Sequence, residues 1–419
     1  MGKRRTKKLK KRSRQKATKK VLRIKKRKIV FLVIDGLADL PINGKTPLSE
    51  ARKPNLDYLA KNGVLGQIIP VKKSFWNELT RTSVSHVANI SLLGFDPYKF
   101  DLKRGPLEAV GANIPYTEGH LALRCNFVTV DKELTVLDRR AGRNSLGLDE
   151  ISRTVNEQVN IGVPCVFIRT YGHRAVLIIK EKLNDKITDS DPLYAGEKVK
   201  KVEPLIPEAK KSAELVQSFI EKSRQLIEFH PFNESRIKNG IPPANFIITR
   251  EAGNRVCSLP NFSKRHKVKP VCIAENGVMK ATCLLAGFNS ITVPELKFQS
   301  SLKFIFDNID SALVEYDFVY VHIKGPDEPA HDGEFHKKRE VIEEIDEKLE
   351  YFKNFDGILV VTCDHITACK TRKHEYGAVP LLVYGKGKSR AKTFDEFSAK
   401  KGKLGLISGR KLWRYVFGK

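Results

Sequence analysis

Ile29-Val30-Phe31-Leu32-Val33-Ile34-Asp35-Gly36 decides the fold: six apolar residues in a row, four of them β-branched, then an acid and a glycine. A strand with one wet face alternates polar and apolar residues. An unbroken run of this kind fits a strand buried on both faces, as in a parallel sheet flanked by helices. Working outward, Val271–Ala274, Phe318–Ile323, Ile358–Thr362 and Val379–Tyr384 repeat the pattern. Helical spacing lies between them, in Pro54–Ala60 and in Glu334–Phe352, where Val341, Ile342, Ile345 and Leu349 recur on one face. Such alternation predicts an α/β fold with a doubly wound sheet. The middle differs: strand-like Leu121–Val130, Cys165–Arg169 and Ala175–Ile179 precede a helical stretch, Glu208–Phe229. Residues 113–268 are therefore predicted to form a smaller α+β domain, inserted into a discontinuous main domain of residues 29–112 and 269–419.

The chain of 419 residues holds 76 Lys and Arg against 48 Asp and Glu, a formal charge of +28, and 41% hydrophobic residues. A chain this apolar is not wholly disordered. Residues 1–28 carry 17 Lys and Arg and no acid, leaving a surplus of 11 for the rest. This basic segment is predicted to be disordered in isolation and to attract polyanions, giving nucleic acid or ribonucleoprotein contact or a nuclear address. It has no aromatic residue for base stacking. Met1-Gly2-Lys3-Arg4-Arg5-Thr6 fits a loose myristoylation pattern, but cations directly after the glycine argue against it. Seven cysteines, an odd number without a CxxC pair, read as buried thiols in a reducing compartment. No apolar stretch reaches the roughly 18 residues of a membrane span. The expectation is a cytoplasmic protein.

Polar clusters follow the apolar strands: Asp35-Gly36 after the first, Lys324 through Asp327, His331 and Gly333 after another, Asp364-His365 after a third, with His374 nine residues further on. Ligands of open α/β sheets bind beyond the carboxyl ends of strands. Singly, each cluster is ordinary: an Asp-Gly is usually a turn and a lone histidine usually surface or core. Together, Asp35, Asp327, His331, Asp364, His365 and His374 mix carboxylate oxygen with imidazole nitrogen, a set for Mn2+ or Zn2+ rather than Mg2+ or Ca2+. Six ligands suit two ions about 3.5–4 Å apart around a transferring phosphoryl or sulfuryl group. A helix starting at Asp327 would bring His331 to the same face. Upstream, Thr82-Ser83-Val84-Ser85-His86 reads either as an ordinary helix cap or as a nucleophile, Ser85, whose helix N-terminus faces an anion.

Ile34-Asp35-Gly36, Gly44 through Leu48, Pro54-Asn-Leu-Asp57, Leu93-Gly-Phe-Asp-Pro97, Arg104-Gly-Pro106 and Arg124-Cys-Asn-Phe127 resemble the archaeal-type 2,3-bisphosphoglycerate-independent phosphoglycerate mutases. So do Asp138-Arg-Arg-Ala-Gly-Arg143, Gly172-His-Arg174, Thr188 through Pro192, Pro243-Ala-Asn245, His322-Ile-Lys324, Asp327 through Gly333, Asp364-His365 and His374. The resemblance implies an alkaline-phosphatase-like metal-binding domain with an inserted domain. One ion would sit on Asp327, His331 and His374, and a second on Asp35, Asp364 and His365. Ser85 would be the phosphorylated nucleophile and a ligand of the metal. Arg124 and Lys324 would be catalytic, with Asn126, Asp138, Arg139, Arg143, His173 and Arg174 around substrate carboxylate and phosphate, as arginine's bidentate fork allows. Mn2+ is the foremost ion implied, with Zn2+, Co2+ or Mg2+ as alternatives, and no 2,3-bisphosphoglycerate is required. One departure stands out: the family has Gly-Ser-Asp at the nucleophile, and this chain has Val84-Ser85-His86. A phosphohydrolase acting on another ester, and an RNA-associated scaffold built on the enzyme fold, are the competing readings.

Overall fold

The computed structural model describes residues 27–77, 84–100, 102–389 and 391–418. Residues 1–26 of the basic segment, together with Thr82 and Ser83, lie outside them. The last two residues of that segment are tied to the body: Arg27 Nη1 donates to Gly385 O at 2.7 Å and Lys28 Nζ to Tyr316 O at 2.8 Å.

In chain order the strands are β1 (Ile29–Ile34), β2 (Gly63–Ile68), β3 (His120–Val130), β4 (Val136–Asp138), β5 (Cys165–Tyr171), β6 (Arg174–Lys182), β7 (Phe246–Gly253), β8 (Pro270–Glu275) and β9 (Asn289–Val293). Then follow β10 (Phe318–Ile323), β11 (Ile358–Thr362), β12 (Ile366–Ala368), β13 (Lys373–Glu375), β14 (Val379–Tyr384) and β15 (Leu406–Ile407). One sheet of eight strands runs β15-β2-β14-β11-β1-β10-β8-β9. The segment that opened the sequence reading is its centre: β1 is buried along its whole length and pairs in parallel with β10 and β11. All five predicted strands are present. The sheet is mixed rather than parallel throughout, because β14 runs antiparallel to β11 and to β2. A two-stranded hairpin, β12–β13, carries His374 outside this sheet.

Helices cover the sheet because their apolar positions recur every three to four residues. Trp413 of the helix Gly409–Phe417 lies edge-on to Phe31, with ring centroids 4.9 Å apart, and donates its indole N–H to Leu92 O at 2.7 Å. Beneath the hairpin, the fully buried Lys338 Nζ donates to Asp39 Oδ2 (2.9 Å), Ala38 O (3.0 Å) and Thr367 O (2.8 Å). Lys338→Met would strand the Asp39 carboxylate in the core without its counter-charge. The expected cost is about 3–5 kcal/mol, read as a lower urea midpoint.

The second sheet, β4-β3-β6-β5 with β7 beside β3, is antiparallel. Leu121, Leu123, Cys125 and Phe127 alternate along β3 into a core shared with Phe167 and Phe219. The residues between them, Arg124 and Asn126, face the other way, and this period of two aims them at the first sheet. Gly105 lets the helix Arg104–Gly111 seat against β3, since a Cβ there would lie 2.0 Å from Ala122 O.

Candidate active site

The carboxyl ends of β1, β10 and β11 lie side by side, since Ile34 pairs with Ile323 and Val33 with both His322 and Thr362. Asp35, Asp327 and Asp364 therefore leave the same edge of the sheet. Gly36 lets the chain turn there at φ +62°, and a Cβ would stand 2.9 Å from Asp327 and 2.7 Å from Thr367 Oγ1. The helix Asp327–Asp332 sets His331 one turn on, Nε2 3.5 Å from Asp327 Oδ2. The hairpin delivers His374, whose Nε2 is 3.1 Å from His331 Nε2 and 3.5 Å from Asp327 Oδ1. Asp327, His331 and His374 thus converge as one predicted group.

The other predicted group is also brought together, with an addition. His365 Nε2 lies 3.2 Å from Asp35 Oδ1 and 3.4 Å from Asp364 Oδ2. Asp35 and Asp364 gather in turn with His322, which sequence reasoning had not placed among the ligands. His322 Nε2 is buried without a hydrogen-bond partner, 3.9 Å from Asp364 Oδ2. Asp327 belongs to both sides, since it also clusters with Asp35 and His365.

These residues fit divalent cations. Burial pulls the His365 imidazole down, yet Asp364, Asp35 and Asp327 outweigh it and push it up to about 9. Burial alone would raise Asp327, but His331, His374 and His365 hold its carboxyl well below the usual range. Three carboxylates compressed around histidines form a low-dielectric pocket that favours positive charge. The two imidazole nitrogens facing each other at 3.1 Å aim at one point, as ligands of a shared ion would.

A residue missed from sequence, Thr367, joins the two groups. Its hydroxyl donates to Asp327 Oδ1 at 2.6 Å and lies 3.0 Å from His365 Nδ1. Hydrogen bonds of this kind orient metal ligands and fix the imidazole tautomer. The Asp-His-x-Thr spacing carried the signal, but only the hairpin turns that hydroxyl inward.

Ser85 stands in the first turn of the helix Val84–Leu92, as predicted, with Oγ 3.4 Å from His365 Nε2. Asn89, one turn on, donates to Ser85 O at 2.8 Å and reaches Asp364 Oδ2 at 3.4 Å, while Tyr320 OH donates to Asn89 Oδ1. The departing residue, His86, is buried among Arg104, Glu108, Arg124 and Glu251; burial above all pulls it down to about 4, so it is neutral at physiological pH.

Ser85 and Asp35 open on a cavity of about 850 Å³. Arg124, Asn126, Arg139, Arg143, His173, Arg174 and Lys324 line it, joined by Arg104, Arg140 and Arg250. Strand register explains the cluster: Arg250 pairs across from Arg124, and Arg174 from Asn126. Burial, with Arg104 and Arg174 close by, pushes Arg124 well down, and burial, with Arg174 and Arg124 close by, pulls the His173 imidazole well down. Arginines crowded this way call for an anion. Asp138 takes another place: it accepts from the Arg140 and Gly142 backbone N–H groups (2.7 and 2.9 Å) and shapes the arginine loop instead of lining the cavity. Arg143 forks onto Asp332 at 2.6 and 2.7 Å, Arg139 meets Asp191 at 2.5 Å, and Lys324 pairs with Glu275 beneath the Tyr171 ring.

Behind this wall, burial raises Asp189 to about 6, against the Glu251 N–H and Arg250 that favour its charged form. Its unfolded value is the ordinary 3.8. As pH rises from about 4 to 6 the unfolded chain releases its proton first, so stability falls across that window and stays lower above it. Asp189→Asn is expected to stabilise the protein by about 2–3 kcal/mol at pH 7.5 and by little below pH 4, measured as urea midpoints at both pH values.

An α/β sheet gathering two metal-ligand groups, a serine at a helix start and an arginine-lined cavity defines the class of metal-assisted transfer of an anionic group. Comparison with known proteins makes this specific. Residues 60–233 match the family model of 2,3-bisphosphoglycerate-independent phosphoglycerate mutase. A mutase of that name from Methanosphaera stadtmanae is 37% identical over 396 residues, 91% of this chain and 95% of the relative. One from Methanocaldococcus jannaschii is 36% identical over 94% of this chain and 97% of the relative. Among solved structures, a Pyrococcus horikoshii protein aligns with TM-score 0.72 at 28% identity over 94% of this chain and 97% of its own. The cofactor-independent phosphoglycerate mutase of Thermoplasma acidophilum aligns at 0.58 and 29% over 94% and 99%. The chain belongs to the 2,3-bisphosphoglycerate-independent phosphoglycerate mutase family. No helix among the described residues is long and apolar enough to cross a membrane.

Proposed function

We propose that the protein interconverts 3-phosphoglycerate and 2-phosphoglycerate through a phosphoserine at Ser85. The observation that carries this reading is that Ser85 Oγ, beside His365 Nε2, opens on the same cavity as Asp327, His331 and the arginines of the second sheet. Asp327, His331 and His374 would hold one divalent ion, and Asp35, Asp364, His365 and His322 a second, Mn2+ being the first choice. Bound there, such ions would supply Lewis acidity toward phosphoryl oxygens.

The chain's own residues do the rest. The substrate phosphate faces Ser85, its equatorial charge met by the helix N-terminus and neighbouring arginines. The Ser85 Oγ–P bond forms as the P–O bond to carbon 3 breaks. Arg124, Arg174 and Arg250 retain the glycerate carboxylate while the molecule reorients. The 2-hydroxyl then attacks phosphorus, and the Oγ–P bond breaks. Water must stay out, or the phosphoserine hydrolyses. Arg143 with Asp332 and Tyr171 with Glu275 bridge the two sides of the cavity. We also read residues 113–268 as an inserted substrate-binding domain on an alkaline-phosphatase-like domain of residues 29–112 and 269–419, with 1–28 as a basic appendage.

The test is a Mn2+-supplemented assay following both 2-phosphoglycerate and inorganic phosphate from 3-phosphoglycerate. Formation of 2-phosphoglycerate with little free phosphate supports the reading. Phosphate without 2-phosphoglycerate would establish a phosphohydrolase instead.

A further inference from the structure

Asn89 and Tyr320 are buried polar residues beside the active site that belong to neither ligand group and do not line the cavity. Tyr320 lies inside β10, an otherwise apolar stretch up to His322, and pairs with Phe31 of β1 on one side and Cys272 of β8 on the other. Its ring stands edge-on to Phe31, with centroids 5.6 Å apart. Tyr320 and His322 are two residues apart in the strand and so share a face of the sheet. Asn89 sits inside the helix Val84–Leu92, one turn after Ser85. Asparagine is a poor residue for a helix interior, because its amide competes for backbone groups. A buried amide or hydroxyl is tolerated where it is hydrogen-bonded, so the partners of these two show what they do.

Their bonds join the serine to the metal side of the site. Tyr320 OH donates to Asn89 Oδ1. The Asn89 NH2 group then faces two acceptors, Ser85 O at 2.8 Å and Asp364 Oδ2 at 3.4 Å. A reversed amide would press its oxygen against a carbonyl and a carboxylate, so the phenol hydroxyl fixes which way the amide points. The other oxygen of Asp364, Oδ1, accepts from the Gly36 N–H at 3.3 Å, and His322 Nε2 lies 3.9 Å from Oδ2. The far end of the serine helix is tied separately, by the Trp413 indole on Leu92 O. Asn89 thus links the Ser85 turn directly to Asp364, across 275 residues of chain.

We propose that Asn89 and Tyr320 are a positioning pair for Ser85. Tyr320 aims the amide, and the amide holds the serine turn and the Asp364 carboxylate in one register, so that the Ser85 oxygen stays at the ion group Asp364 helps to form. This role rests on Ser85 being the nucleophile and Asp364 a metal ligand. Neither residue touches the reacting atoms, and both act through Ser85 and Asp364. Placement of this kind matters, because a shift of about 1 Å can cost about 100-fold in rate. Hydrogen bonds that orient a metal ligand likewise contribute about 10–100-fold in affinity or activity.

The test compares wild type with Tyr320→Phe, Asn89→Leu and the double variant, each held well below its thermal melt. Two measurements are made: Mn2+ titration calorimetry, and kcat and KM for 3-phosphoglycerate. Asn89→Leu is expected to weaken one of the Mn2+ binding steps by about 10–100-fold. It should lower kcat by about 100-fold while KM stays within about twofold, since the interaction serves the transition state and not substrate binding. Tyr320→Phe deletes one oxygen from a ring fixed in the core and should cost about tenfold in kcat, the worth of one buried hydrogen bond. The double variant should match Asn89→Leu alone, because Tyr320 acts through Asn89. Losses that add in the double variant would overturn the pairing. A lowered melt with wild-type kcat and Mn2+ affinity would leave both residues a purely structural part and overturn the proposal. If Asn89→Leu does not fold, Tyr320→Phe decides by the same measurements. A wild type that binds Mn2+ but forms no 2-phosphoglycerate would count against the mutase reading instead, and the Mn2+ comparison would still decide this role.

Discussion

Ser85→Ala is expected to remove essentially all 3-phosphoglycerate conversion, a loss of the order of a million-fold, as when a nucleophile acting within a catalytic unit is deleted. Ser85 Oγ sits at the start of its helix, 3.4 Å from His365 Nε2 and on the wall of the arginine-lined cavity. The alanine removes the oxygen proposed to carry the phosphoryl group while leaving both ligand groups and the arginines in place. Three measurements check it: 2-phosphoglycerate formation in an enolase-coupled assay, intact mass of acid-quenched enzyme, and bound Mn2+. The wild type should show one covalent phosphoryl adduct and the variant none. Metal content should stay at two ions if Ser85 is only a supplementary ligand. An adduct persisting in Ser85→Ala would move the nucleophile elsewhere.

The second large effect is expected at Asp327. Its carboxylate contacts His331 and His374 on one side and clusters with Asp35 and His365 on the other. Asp327→Ala therefore removes a donor from both groups. It also leaves His331 and His374 facing each other without the charge that draws their nitrogens to one point. Its loss of metal affinity should exceed the roughly 10–100-fold typical of residues that only orient ligands. Thr367→Val should fall within that smaller range, because the hydroxyl aligning Asp327 and His365 is lost while every ligand remains. Thr367→Ser should restore most of it. Titration calorimetry with Mn2+ measures all three on folded protein, independent of turnover. Equal affinities for wild type and Asp327→Ala would remove Asp327 from the metal site.

The outcome at Asp327, His331, His374, Asp35, Asp364 and His365 shows how legible such a site is. These residues follow apolar strands or a short helix, and strand ends of one sheet share an edge by construction. His322 was hidden inside a strand, where its pairing with Val33 puts it beneath the site. Arg104 and Arg140 stood inside family motifs without a role of their own, and Arg250 stood in none, until the fold set all three around one cavity. Asp138 looked like a substrate ligand and holds a loop instead, because a short acid near an arginine turn finds backbone N–H groups first. The strand at Val379–Tyr384 was legible as a strand but not in direction, since an apolar hexapeptide buried on both faces reads alike either way.

By itself the sequence determined that a run such as Ile29–Ile34 must lie inside a sheet, that acids and histidines would gather where such strands end, and that its basic charge would be unevenly spread. Burial of apolar runs and periodicity are local properties of the chain, so they can be read along it. The tertiary structure alone decided that Thr367 bridges two ligand groups and that His86 is neutral. Those outcomes depend on distances of a few ångströms between residues far apart in the chain. Coulomb and desolvation energies are set by such distances and not by order along the chain.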